Sequence, residues 1–112
     1  MEIHWVHASE LEEEQRRGVE ERVRTLADQK GDLMDLRIMV RSSNHHQHGG
    51  DEVRLTCDAR GKEIVVVRSA PEAGLALNEA VDVFEREVRR MRERRAVRRS
   101  DRGESPPEAS SA

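Results

Sequence analysis

Leu77, Ala80, Val81, Phe84, Val88 and Met91 recur at the three- and four-residue spacing of one helix face, and the stripe runs straight into a cluster of arginines. Its next positions are Arg95 and Arg98, so the last two turns are expected to project beyond whatever core the apolar part packs against. Pro71 suits a first helical turn, and a helix from there to about Arg99 would be about 42 Å long at 1.5 Å per residue. A small sheet needs less than that.

Charge follows the same division. From Arg86 to Arg102 nine arginines stand against Glu87, Glu93 and Asp101, a local +6, whereas the whole chain carries -3 and the remainder therefore -9. An acidic body carrying a basic rod can approach a polyanion with one face only, because exposed charges act over about a Debye length, ~8 Å at physiological salt. Nucleic acid is the first partner this implies. A solvated helix end, with cations complementing the macrodipole, accounts for the same residues without any partner.

A chain of 112 residues can build one small domain with a single core. With 35% hydrophobic and 38% charged residues, it has little apolar material beyond that core. No long apolar run is present, so no transmembrane helix or secretory signal is expected; the expectation is a cytoplasmic protein without a membrane partner. Cys57 stands alone in a predicted strand, which suits a reducing compartment and a small buried residue better than a nucleophile.

Read in order, residues 2–7 alternate as a strand with Ile3 and Trp5 on one face. Ser9 and Glu12 form an S-x-x-E capping box, opening a helix with Leu11, Val19, Val23 and Leu26 on one side and an end near Gly31. Leu36, Ile38 and Val40 alternate with Arg37, Met39 and Arg41 in a half-buried strand, and residues 44–50 supply a polar turn. Val53, Leu55 and Cys57 alternate with Arg54, Thr56 and Asp58, Gly61 closes a second hairpin, and the fourth strand, residues 62–69, contains the Val65-Val66-Val67 run. The order β-α-β-β-β-α predicts an α+β sandwich: a four-stranded, mainly antiparallel sheet with two helices on one face. That domain spans residues 1–99. Residues 100–112 have nothing large and apolar to bury and are expected to be a disordered tail.

The search for reaction chemistry returns little. His45, His46 and His48 form an H-H-x-H cluster in a turn without a cysteine or carboxylate at ligand spacing, so no metal site is assigned. Glu12, Glu13 and Glu14 are adjacent on a helix and point in different directions, which is wrong for a paired acid and base. There is no nucleophile elbow, phosphate loop or dinucleotide fingerprint. The expectation is a protein that is not an enzyme and has no cofactor or small-molecule substrate. Tyr is absent, and Trp5 and Phe84 are better explained as core, so nucleic-acid binding would rest on backbone charge and shape.

Over residues 1 to 95 the chain resembles the ribosome hibernation factors, the family of hibernation promoting factor and ribosome-associated inhibitor A. The likeness rests on the element order and on Met1-Glu2-Ile3 opening the first strand, with Val19-Glu20-Glu21-Arg22-Val23 and Leu26 in the first helix. The second helix adds Ala76-Leu77-Asn78, Ala80-Val81-Asp82 and Phe84-Glu85-Arg86-Glu87-Val88-Arg89-Arg90. It implies a short-type, divergent member without the separate C-terminal dimerisation domain of longer factors. Such a protein would lodge between head and body of the small ribosomal subunit, contact rRNA along the mRNA/tRNA path and block initiation under stress by occupancy. Arg22, Arg86, Arg89 and Arg90 fall on the family's basic positions and are the first choice as phosphate contacts. Arg37, Arg41 and Arg54, which alternate outward from the strands, would extend that surface. The chain departs from the family at Glu72-Ala73-Gly74, where D-M-Y is common, and at Gly18, where an aromatic is usual.

A second function class stays open at this point. If Ile64 and Val66 face the helices, Val65 and Val67 point outward near Met39, and an apolar patch there would suit a protein partner on the open sheet face.

Overall fold

The structure is a computed structural model that describes residues 1–42 and 50–101. The His45, His46 and His48 cluster and the chain beyond residue 101 lie outside the described residues. Six elements follow in the expected order: β1 (Glu2–Val6), α1 (Glu13–Lys30), β2 (Asp35–Ser42), β3 (Asp51–Ala59), β4 (Lys62–Ala70) and α2 (Ala73–Asp101). The sheet runs β1-β2-β3-β4, so spatial order repeats sequence order. The β1–β2 pair is parallel, joined through α1, and the other two are antiparallel hairpin partners.

Alternation decides which face is buried. Leu36, Ile38 and Val40 of β2, Val53, Leu55 and Cys57 of β3, and Ile64 and Val66 of β4 are all buried, and the helices cover them. Val19, Val23 and Leu26 of α1 and Leu77, Val81, Phe84, Val88 and Met91 of α2 fill the facing layer. Burying each large side chain contributes roughly 1.5–3 kcal/mol. The predicted stripe therefore ends where the core ends. β4 is one-sided: Val66 is buried while Val65 is 48% exposed. Burial also pushes the Cys57 thiol up to about 12, with lesser help from nearby aspartates, which makes it an inert core residue.

The start of α1 differs from the sequence reading. Ser9 is exposed and does not cap the helix. Residues 8–11 instead form a turn, with the Leu11 N–H donating to the Ala8 carbonyl at 3.1 Å. Both apolar side chains of that turn enter the core, so burial of Ala8 and Leu11 delays the helix to Glu13. Glu12 then serves as N-cap, its N–H donating to Gln15 Oε1 at 3.0 Å. The other end is as predicted: Gly31 adopts φ +63 and its N–H donates to the Ala27 carbonyl at 2.8 Å.

The two glycines at which the chain departs from the family meet different surroundings. Gly18 is exposed on α1, and a Cβ there would have nothing within 4 Å. At Gly74 a Cβ would collide with the Gln15 side-chain amide, which lies across the start of α2. Gly18→Ala should consequently stabilise the protein by about 1 kcal/mol, because alanine costs less backbone entropy in a helix and meets no neighbour. Calorimetry should read this as a rise in Tm of about 4 °C or more. A fall would mean that the site is crowded.

Candidate nucleic-acid interface

The long α2 carries most of the basic character, and packing sorts its arginines into two groups. Arg92 and Arg95 lie toward the body and are half-buried. Arg92 makes a bidentate pair with Asp32 (Nε to Oδ2 3.0 Å, NH2 to Oδ1 2.7 Å) and donates to the Leu26 carbonyl at 2.8 Å. Arg95 donates to the Ala59 carbonyl at 2.7 Å. These two residues tie α2 to the end of α1 and to β3.

Arg86, Arg89, Arg90, Arg94 and Arg98 are exposed. Four of them, Arg86, Arg90, Arg94 and Arg98, recur every fourth residue and form a ladder with steps of about 6 Å along the axis. Arg90 reaches Glu87 at 3.3 Å and Arg89 reaches Glu85 at 3.9 Å, while Arg86, Arg94 and Arg98 make no ion pair among the described residues. Like charges at this spacing cost roughly 0.2–0.5 kcal/mol per pair. A ladder that opposes helix formation offers a run of guanidinium groups to an external anion.

Arg22 is placed differently. It sits between the helices, donating to Asp82 Oδ1 at 2.8 Å and to Glu85 Oε1. The hydrogen bond to Asp82 is the largest cause raising its pKa, opposed by partial burial and assisted by Glu85. Arg22 thus joins α1 to α2 before it can meet any ligand. Arg37, Arg41 and Arg54 are exposed on the sheet face that the helices leave open. The seven residues singled out in the sequence therefore occupy three places: the α2 outer face, the helix–helix seam and the far side of the sheet.

That far side is mixed in charge. The strand register aligns Glu2, Asp35, Asp58 and Glu63 in one acidic row across all four strands. Glu2, His4 and Asp35 bring their ligand-type atoms within 4.8 Å of one another there, all exposed. Another row reads Val6, Met39, Arg54, Val67, so Arg54 splits the apolar patch expected from the valine run. The acidic row repels a polyanion, whereas the α2 ladder attracts one. Arg94 and Arg98 lie beyond the Phe84–Arg90 block on which the second-helix likeness rests; their four-residue spacing from Arg86 and Arg90 is the sequence signal that finds them.

Solved structures share this architecture. A ribosomal subunit interface protein from Coxiella burnetii superposes with a TM-score of 0.68 at 10% identity, covering 83% of this chain and 99% of its own. The N-terminal domain of Thermus thermophilus Protein Y gives 0.62 at 17% identity, covering 80% and 94%. The chain carries their fold. No protein-family model and no curated protein matches the sequence. Among the described residues, no helix is long and apolar enough to cross a membrane.

Proposed function

We propose that this chain is a ribosome-associated hibernation factor, which binds small-subunit rRNA along the mRNA/tRNA groove and blocks initiation under stress without catalysis. The observation that carries this reading is the exposed ladder Arg86, Arg90, Arg94 and Arg98, with Arg89 beside it, on a helix that outruns its core. Its setting, a fold shared with a ribosomal subunit interface protein, supports the choice of polyanion. The contacts are made to backbone phosphate, since the exposed face offers guanidinium groups and no aromatic ring. A protein acting this way works in the cytoplasm.

Purified protein should co-sediment with small ribosomal subunits and inhibit cell-free translation. If the five exposed α2 arginines each neutralise one phosphate, log K should fall with log salt at a slope of roughly -3.5 to -4.5. Failure to co-sediment even at low salt would overturn the proposal.

A further inference from the structure

A cavity of about 140 Å³ lies where the end of α1, the β3–β4 turn and α2 meet, lined by Lys30, Asp32, Arg60, Arg92, Arg95 and Ala96. Four of these six residues are cationic. The single carboxylate, Asp32, is already chelated by both edges of Arg92. Oxygens that would repel an anion here are likewise occupied by the cavity's own arginines. Leu26 O accepts from Arg92, Gly31 O from Arg60 at 3.3 Å, and Ala59 O from Arg95. The Arg92 and Arg60 guanidinium groups, set beside the carbonyl end of α1, offset part of its negative dipole.

Donor capacity separates the arginines. Each guanidinium has five N–H donors. Arg92 makes four hydrogen bonds, to Asp32 twice, Leu26 O and Gln29 Oε1, and is a fixed wall. Among the described residues Arg60 and Arg95 each make one, leaving the others for a ligand. Arg60 is also held at φ +52, in the first position of the two-residue turn closed by Gly61 at φ +87. Asparagine or glycine adopts that conformation more readily, so the turn accepts backbone strain to keep a long cation at the cavity.

From this convergence of Lys30, Arg60 and Arg95 around a small cavity with its carboxylate neutralised, we infer that the site binds a single phosphate group. Compact, concave and multiply donating, it suits a tetrahedral oxyanion. The phosphate belongs either to a free small molecule or to a bound RNA strand. Since none of the ladder residues lines the cavity, the free-phosphate form stands apart from the ribosome reading, whereas the RNA form rests on it.

The test titrates inorganic phosphate against chloride of matched ionic strength and follows amide resonances of Lys30, Gly31, Arg60 and Gly61. Saturable shifts are expected, weakened about tenfold in Arg60→Asn, which removes charged donors while suiting the turn's backbone. Lys30→Gln should weaken them in the same direction, with the fold judged by an unchanged melting curve. A second arm measures a short single-stranded RNA: retained binding in Arg60→Asn assigns the site to free phosphate, and parallel loss assigns it to an RNA phosphate. Shifts that fail to saturate, or that survive both substitutions unchanged, overturn the inference.

Discussion

Arg92→Ala is expected to destabilise the protein by about 3 kcal/mol, because it leaves the nearly buried Asp32 carboxylate and the Leu26 carbonyl without their donor. For a domain of this size that corresponds to a fall in Tm of roughly 12 °C or more. Denaturant unfolding should show Asp32→Ala/Arg92→Ala losing less than the sum of the single changes, since removing both charges leaves neither unpaired. The pair also carries a pH signature. Its hydrogen bonds to Arg92, outweighing burial, hold the Asp32 pKa below the ordinary carboxylate value. Stability from this group is complete above the unfolded pKa of about 3.9 and is lost as pH falls through the lower folded value. Asp32→Asn should flatten that acid limb, and an unchanged limb would show that other carboxylates set it.

Reversing Arg86, Arg90 and Arg94 to glutamate should lower affinity for small ribosomal subunits by roughly a hundredfold or more at low salt, and reduce the salt slope by about 2 to 3. The fold should persist, since these side chains are exposed and, among the described residues, Arg86 and Arg94 make no ion pair. Arg37→Ala with Arg54→Ala serves as the opposite-face control. If the control abolishes co-sedimentation and the ladder variant does not, the open sheet face is the contact surface and the ladder is a solvated helix end.

Most of the architecture was legible because alternation and helical spacing report directly on burial. Leu36, Ile38 and Val40, or Phe84, Val88 and Met91, have no other economical arrangement. The α1 start was misread because Ser9 and Glu12 satisfy a local capping pattern, whereas the structure obeys a non-local demand, the burial of Ala8 and Leu11. The candidate site was harder for the same reason. Sequence shows where arginines lie along a helix but not that Arg22 is taken by Asp82 and Glu85, sixty and more residues away, or Arg92 by Asp32. The outward alternation of Arg37, Arg41 and Arg54, by contrast, already set them on the face away from the helices. Register also decided the apolar patch, since the valine run gives no hint that Arg54 stands between Val67 and Met39.

Because the sheet's spatial order repeats its sequence order, each strand emerging during synthesis finds its neighbour already made. The hairpins of β2, β3 and β4 require only local closures. The helix-facing side of that sheet, however, stays partly uncovered until Phe84, Val88 and Met91 arrive near the end of the chain. Vectorial folding would hold the nascent protein in an open, sticky form through most of its translation, and completion of the core would coincide with presentation of the arginine ladder. A chain interrupted before α2 would lack both the seal of its core and the arginine ladder, so an incomplete product could not make the contact proposed for the full chain.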